Sequence, residues 1–396
     1  MSSLHTDTAA RLRDELSAGE LRLKPAIDDL RAGSLQQHRG LWLNTAGACP
    51  VPKTVVQALQ AALSAPHVTL QRGHDRETRA AALALREVTR RFERRLGLPA
   101  GQIVLGHNTT HLLLAVGRAL LTLRPGSPWT VAHGDPDHRA SYVFSALPGW
   151  KARALVPYSH NGLYEQRAIT ALPPQSVFLM TAQHPLYGAV QGDALRALRA
   201  DTHMIVDGAQ ALKWLSPAQL APFLQRSEAA VFSLGKAFSP LSAGFAWVRD
   251  AALTECLLAQ NPELSGSVSG FSVAALSATQ DFLDRTVDAH WSAHTFALTR
   301  YLLLLLSGLD HITVLGCPSF QDNSDRIGLV SLRADNMTPE ELAMHLEASG
   351  FSTRADGTCA GPIEEQQAHA AVRISLLPHV RFHDIDHLVL SLAACA

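Results

Sequence analysis

The sequence predicts an α/β protein whose large domain is built on a mainly parallel sheet and whose C-terminal end forms a smaller α+β domain. Between Ala80 and Val248, short apolar runs alternate with helical patterns, which is typical of parallel strands covered on both faces. Beyond about Gly270 the pattern changes to longer helices with few strands. The predicted strands lie at residues 103–105, 129–131, 154–156, 177–180, 204–206 and 230–232.

The residues that follow these runs indicate where a ligand binds. Thr109 and Thr110 follow the first run, His138 follows the second, and Asp207 and Lys236 follow the fifth and the sixth. The carboxyl ends of parallel strands meet at one edge of a sheet, and ligands of such sheets bind there. We therefore expect these side chains to share one site.

Composition and charge narrow the class of protein. Hydrophobic residues make up 47% of the 396 residues and charged residues 17%, so the chain can bury a large core. Lys and Arg number 34 against 35 Asp and Glu, with no sustained basic run, so we expect a small-molecule substrate and no nucleic-acid partner. The N-terminus lacks an apolar signal core, and the longest apolar run, near Tyr301, is too short to cross a bilayer. We expect no membrane partner and a cytoplasmic location.

Both ends of the chain are expected to join the smaller domain. The domains are predicted as an N-terminal segment at residues 1–60, a large domain at 61–268 and a small domain at 269–396. An amphipathic helical pattern near the N-terminus contains Leu12, Leu16 and Leu21. Thr338 begins a capping-box helix that stops near Gly350. The five cysteines are scattered without a C-x-x-C pair, so we expect neither a disulfide framework nor a metal site.

Asp207 and Lys236 lie in two segments with a specific resemblance. Asp207 opens an Asp-Gly-Ala-Gln turn, and Lys236 closes a Ser-Leu-Gly-Lys segment one strand later. Their order and spacing resemble the class V aminotransferase and cysteine desulfurase family, which uses pyridoxal 5′-phosphate (PLP). The resemblance runs from about Asn44 to the end of the chain. It implies the fold type I of PLP-dependent enzymes, with Lys236 holding the cofactor as a Schiff base.

The resemblance implies how the cofactor would be held. Asp207 would pair with the protonated pyridine nitrogen, Gln210 would hydrogen-bond the phenolic ring oxygen, and Ser233 would donate to the phosphate. The segment that contains Thr109 and Thr110 is similar to the phosphate loop of the family. These two threonines are the expected donors at a helix N-terminus, where an anion is favoured.

Four further residues extend the resemblance to the substrate and the subunit interface. His138 would stack on the ring and serve as a proton shuttle. Ser267 resembles a residue that reaches the phosphate in the neighbouring subunit, which implies a homodimer with shared active sites. Arg373 is similar to the arginine that binds the substrate carboxylate in the family, and Asn44 is also assigned to the substrate.

The reaction is predicted from one cysteine and from two positions at which the sequence departs from the family pattern. Cys359 matches in spacing the loop cysteine that takes sulfur from the substrate in one branch of cysteine desulfurases. Gly235 stands where the family usually has histidine, and Pro185 stands where many desulfurases have asparagine. We expect a cysteine desulfurase or a related C–S lyase. An amino-acid epimerase similar to isopenicillin N epimerase and an aminotransferase remain alternatives, and a non-catalytic PLP-fold binding protein is a remote one.

Overall fold

Thirteen strands are present in the described residues. The computed structural model describes residues 3–65, 75–99, 101–126, 129–265, 268–321, 325–356 and 370–395. The strands are β1 (Leu41–Trp42), β2 (Gln102–Gly106), β3 (Thr130–Asp135), β4 (Ala152–Pro157), β5 (Val177–Thr181), β6 (His203–Asp207), β7 (Ala229–Ser233), β8 (Gly244–Val248), β9 (Ile312–Leu315), β10 (Leu329–Ala334), β11 (Phe351–Ser352), β12 (Arg354–Asp356) and β13 (Ala371–Ser375).

A seven-stranded sheet forms the centre of the large lobe, in the order β2-β8-β7-β6-β5-β3-β4. All six predicted runs are strands of this sheet. β8 was not predicted; it lies between β2 and β7 and is antiparallel to both, whereas the other neighbouring strands are parallel. The predicted α/β architecture with a mainly parallel sheet is confirmed.

Thirteen α-helices surround the sheets within the described ranges. They are α1 (Ser3–Arg31), α2 (Lys53–Leu63), α3 (Arg76–Leu96), α4 (Thr109–Leu123), α5 (Arg139–Ser145), α6 (Gln166–Thr170), α7 (Ala194–Ala197), α8 (Pro217–Arg226), α9 (Ala251–Gln260), α10 (Gly270–Thr286), α11 (Ala289–Leu306), α12 (Pro339–Ala348) and α13 (Phe382–Ala393). Each of these helices is too short or too polar to cross a lipid bilayer.

The two faces of the large sheet are both buried. Along β5, Val177 and Leu179 belong to the core on one face, and Phe178 and Met180 belong to the core on the other. Successive side chains of a strand point to opposite faces, so a strand buried on both sides is apolar at every position. This explains why the predicted runs are continuously apolar.

The small lobe contains a four-stranded antiparallel sheet in the order β12-β13-β10-β9. The N-terminal segment joins the small lobe through β1, which pairs with β11 in a separate two-stranded parallel sheet. Helix α10 packs against α2 and α3, and its Leu276 and Leu283 lie in the core of the large lobe. The predicted domain limits at residues 61 and 269 stay a prediction.

Two helices test the expected helix patterns. Thr338 caps α12, and its hydroxyl accepts a hydrogen bond from the backbone N–H of Glu341 at 3.2 Å, so the predicted capping box is confirmed. The pattern in α1 predicts packing on a lobe or on a partner subunit; Leu12 and Leu16 are buried within the chain, whereas Leu21 is 76% exposed, and its packing on a partner subunit stays a prediction. Five positions rotate a residue by about 500°, which places Leu21 about 140° away from the direction of Leu16.

Candidate active site

A cavity of about 480 Å³ opens at the carboxyl ends of the parallel strands, at the edge where the sequence predicts a site. A smaller adjoining cavity contains Gln210 and shares four residues with the larger one. The fold thus brings together side chains that are far apart in the sequence. The predicted site residues that line the larger cavity are Thr109, Thr110, His138, Asp207, Ser233 and Lys236.

Helix α4 begins on the wall of the larger cavity. Asn108 is its N-cap, and the side-chain oxygen accepts a hydrogen bond from the backbone N–H of His111 at 2.9 Å. The Thr109 side chain is buried, and its hydroxyl has no hydrogen-bond partner among the described residues. Such a buried hydroxyl is unfavourable unless a ligand satisfies it, and a helix N-terminus favours an anion. This end of the cavity fits a phosphate group.

Asp207 places a buried carboxyl group at the end of β6. It is 4% exposed, and Oδ1 accepts a hydrogen bond from the backbone N–H of Ala209 at 2.9 Å. Burial raises the pKa of Asp207, while the Ala209 N–H and the charge of Lys236 oppose this rise. A cationic partner would stabilise the carboxylate in such a site. The position therefore fits a protonated ring nitrogen.

Lys236 follows the end of β7 and lines both cavities. A β-carbon added at the preceding Gly235 would lie 3.0 Å from the carbonyl oxygen of Leu241. The histidine that the resembled family usually carries there would therefore displace the segment around Leu241. The segment around Leu241 lines the larger cavity. Glycine at position 235 therefore allows this segment to lie close to the backbone that precedes Lys236.

His138 is held as a neutral imidazole at the start of α5. Its Nδ1 accepts a hydrogen bond from the backbone N–H of Ala140 at 3.1 Å, so the ring proton lies on Nε2. Burial, with the positive charges of Lys236 and Arg373, lowers the pKa of His138 to about 3. The ring therefore presents an N–H donor near neutral pH.

Asp137 and Thr181 support His138, and sequence reasoning did not identify them as site residues. The Asp137 carboxylate accepts hydrogen bonds from the backbone N–H of His138 at 2.6 Å and from the Thr181 hydroxyl at 2.9 Å. Burial raises the pKa of Asp137 to about 7, and the charge of Asp207 adds to the rise. An acidic residue next to a candidate site histidine was the signal that could have found it.

Gln210 is held between two partners. Its Nε2 donates to the carbonyl oxygen of Ala46 at 2.9 Å, and its Oε1 accepts a hydrogen bond from Nζ of Lys213. Lys213 is completely buried, which the sequence did not indicate. Lysine is almost never fully buried, so a surface position was the default expectation.

The two residues assigned to the substrate lie beside the cavities. Arg373 on β13 is 2% exposed, and Nη1 donates to the carbonyl oxygen of Pro185 at 3.2 Å. Pro185 lines the smaller cavity, so this arginine lies at its small-lobe side. Asn44 lies next to the wall of the larger cavity: a β-carbon at Gly47, which lines that cavity, would lie 2.6 Å from its Oδ1. The substrate roles of Arg373 and Asn44 stay predictions.

Two predicted site residues, Ser267 and Cys359, lie outside the described residues. The shared-site role of the serine and the sulfur-accepting role of the cysteine therefore stay predictions.

Solved structures of three proteins are similar to this chain over almost its whole length. A cysteine desulfurase from Thermococcus onnurineus NA1 has a TM-score of 0.78 at 14% identity, with 93% of this chain and 97% of that chain covered. The cysteine desulfurase CsdA from Escherichia coli has a TM-score of 0.72 at 17% identity, with 90% and 94% covered. A NifS-like protein from Rickettsia africae ESF-5 has a TM-score of 0.72 at 12% identity, with 90% and 99% covered. The predicted fold type I is confirmed.

The family is shown by a match to a family model. The model described as aminotransferase class-V matches residues 41–388, which is most of the chain. Enzymes of this family are in general PLP-dependent and dimeric, and they act on amino acids. This chain is a member of the aminotransferase class-V family of PLP-dependent enzymes.

Proposed function

We propose that the chain binds PLP through Lys236 and cleaves the C–S bond of an amino acid, as a cysteine desulfurase or a related C–S lyase. The observation that carries this proposal is that Lys236 and Asp207 line the same cavity. The N-terminus of α4 lies on the wall of that cavity. Family membership supports the cofactor, and the names of the similar solved structures support the C–S chemistry.

Bound PLP supplies an electron sink for negative charge that develops at the Cα atom of the substrate. Asp207 keeps a proton on the ring nitrogen, because its buried carboxylate is most stable beside a cation. Thr109, Thr110 and Ser233 donate to the phosphate at the other end of the cavity.

The remaining residues handle the substrate and its proton. Arg373 binds the α-carboxylate from the small-lobe side, where Pro185 orients its guanidinium. His138 carries a proton on Nε2 and would exchange it with the substrate group that faces the imidazole. Lys236 would hold the cofactor, and its amine, when free, would accept the Cα proton of the substrate.

Cys359 and Ser267 complete the proposed enzyme. The thiolate of Cys359 would attack the substrate sulfur, so that an S–S bond forms as the C–S bond breaks. The electron pair of the broken bond stays on carbon, which takes up a proton, so that cysteine yields alanine and a persulfide on Cys359. Ser267 donates to the phosphate bound in the partner subunit of a homodimer. A cytoplasmic location stays our expectation.

The proposal is tested with L-cysteine and the purified, PLP-loaded protein. We expect alanine and reducible sulfur in equal amounts, with a loss of sulfur release of about a hundredfold or more in Cys359→Ala. Cys256→Ala is the matched control, because this half-buried thiol lies on α9, outside both cavities. A protein that binds PLP but releases no sulfur from cysteine would exclude desulfurase activity.

An epimerase or an aminotransferase is the second candidate. Pro185 lines the smaller cavity where many desulfurases have asparagine, and its ring nitrogen cannot donate a hydrogen bond. In the same samples, exchange of the Cα proton with deuterium and a change of chirality would indicate an epimerase. Transfer of the amino group to a keto acid would indicate an aminotransferase.

Replacement of Thr109 by valine should weaken PLP binding about tenfold, because valine keeps the shape of threonine but removes one hydrogen bond to a charged phosphate. The dissociation constant is measured by titration of the cofactor-free protein with PLP. The control Thr122→Val lies on the same helix, where its hydroxyl pairs with Gln260, and should bind PLP like the wild type. Equal affinity in Thr109→Val and the wild type would remove Thr109 from the phosphate site.

A further inference from the structure

Lys213 is a buried lysine directly behind the candidate active site. It ends a 3₁₀ turn at Ala211–Lys213 that follows β6 and Asp207. Its side chain has no exposed surface, and Nζ lies 4.1 Å from the ring centroid of Trp214. No salt bridge to Lys213 is present within the described ranges. Burial of an amine without a carboxylate partner is unfavourable, and an apolar side chain could fill the same space at a lower free-energy cost.

The amine of Lys213 donates to Oε1 of Gln210, while Nε2 of Gln210 donates to the carbonyl oxygen of Ala46. A carbonyl oxygen can only accept a hydrogen bond, and an amide NH₂ can only donate. A flipped amide would place its oxygen against the Ala46 oxygen and its NH₂ against the Lys213 amine. Two independent partners therefore select the same orientation of Gln210.

This orientation matters because Gln210 lines the smaller cavity together with Asp207 and Lys236. The Gln210 NH₂ has two hydrogens, of which the contact with Ala46 uses one. The second hydrogen of this NH₂ is therefore left for a ligand in the cavity. A ring oxygen of the cofactor that accepts this hydrogen bond is stabilised in its ionised form.

We propose that Lys213 is a positioning residue that locks the amide of Gln210 with its NH₂ toward the ring oxygen of PLP, and so keeps that oxygen ionised. This inference rests on the proposed binding of PLP through Lys236. Without Lys213 only the contact with Ala46 selects this orientation, so the amide turns its oxygen toward the ring more often, and two acceptors then face each other unless the ring oxygen takes up a proton.

The protonation state of Lys213 sets how strictly it selects this orientation. Burial lowers the pKa of Lys213 well below its usual value, and the neighbouring cations Lys236 and Arg373 lower it further, while the Cys49 thiol opposes them. The amine can donate to Gln210 in its protonated and in its neutral form. Only the protonated form has no lone pair and so excludes the flipped amide outright, while in the neutral form the contact with Ala46 still disfavours the flip.

The test measures the absorption of bound PLP without substrate, so that it does not depend on activity. The ionised and protonated forms of the bound cofactor absorb at different wavelengths, and a pH titration gives their midpoint. We expect Lys213→Met to favour the protonated form about tenfold, the effect of one hydrogen bond to a charged acceptor, which raises the midpoint by about one pH unit. Gln210→Met should raise it at least as much, and the double variant no further.

Two variants separate positioning from other effects. Lys213→Gln keeps an N–H donor without a charge and should retain the wild-type midpoint, which also provides a test if Lys213→Met does not fold. Arg326→Met removes another buried cation, one that donates to the carbonyl oxygens of Leu329 and Cys317. It should lower the melting temperature but leave the midpoint unchanged.

The outcomes distinguish this inference from the proposed function. A wild-type midpoint in Lys213→Met would overturn the inference, and so would a shift of the same size in the Gln210→Met background, because the lysine would then act through its charge. A raised midpoint in Lys213→Gln would also overturn it. If the wild-type protein gives no cofactor band after PLP is added, the proposed function fails and the inference fails with it.

Discussion

Replacement of Lys236 by alanine is expected to abolish covalent attachment of PLP and to lower activity by about a thousandfold or more, because one amine provides both the attachment and the proton acceptor. Lys236 lines both cavities and follows the end of β7, which is parallel to and adjacent to the strand that ends in Asp207. After borohydride reduction, the wild-type protein should carry the cofactor on the peptide that contains Lys236. The variant should carry none, and PLP should leave it on dialysis.

The exposed Lys151 supplies the control for this experiment, since Lys151→Ala removes an amine outside both cavities. It should leave both labelling and activity unchanged. Labelling that persists in Lys236→Ala would contradict the assignment. Lys213 would then be the first residue to examine, because it is a second buried amine near the site.

Replacement of Asp207 by asparagine should lower activity about a hundredfold to a thousandfold while PLP still attaches to Lys236. An amide cannot stabilise a proton on the ring nitrogen, and loss of one partner of a buried ion pair costs about 3–5 kcal/mol. Steady-state rates and borohydride labelling measure the two parts of this prediction. Activity equal to that of the wild type would show that another group partners the ring nitrogen.

The stability of Asp207→Asn is predicted separately for the protein without cofactor. Because burial raises the pKa of Asp207, the folded protein holds that proton more tightly than the unfolded chain does. The contribution of Asp207 to stability is therefore greatest below the unfolded pKa of about 4 and decreases as the pH rises toward the folded value. At neutral pH, cofactor-free Asp207→Asn should melt no lower than the cofactor-free wild type. Asp201→Asn is the control, because that exposed carboxylate pairs with Arg199 on the surface, outside both cavities.

The fold could be predicted to a large extent because its strands are buried on both faces. Such strands need apolar side chains at every position, and the six predicted runs correspond to β2 to β7. β8 was missed although Phe245, Ala246 and Trp247 are also apolar and buried. An apolar run does not indicate a strand's neighbours or direction, so its antiparallel insertion between β2 and β7 could not be predicted.

Part of the candidate site could be predicted because strands and helices alternate along the chain. The spacing between Asp207 and Lys236 therefore corresponds to the distance from one strand end to the next. Asp207 and Lys236 follow adjacent parallel strands, and the structure places both on one cavity. Asn44 was assigned to the substrate, and the structure places its Oδ1 next to Gly47 of the cavity wall, without a hydrogen-bond partner among the described residues. A resemblance in sequence assigns a residue to a region of the site, but the side-chain direction depends on local backbone geometry.

The sequence by itself determined the α/β class, the family resemblance and the strand ends that carry Asp207 and Lys236, because these follow from local apolar patterns and short-range spacing. Only the tertiary structure decided that Thr109 has a buried hydroxyl without a partner among the described residues, that Asp137 supports His138, and that Lys213 is buried against Gln210. Burial and hydrogen-bond partners arise from segments that are distant in the sequence, and a local pattern carries no information about those distances.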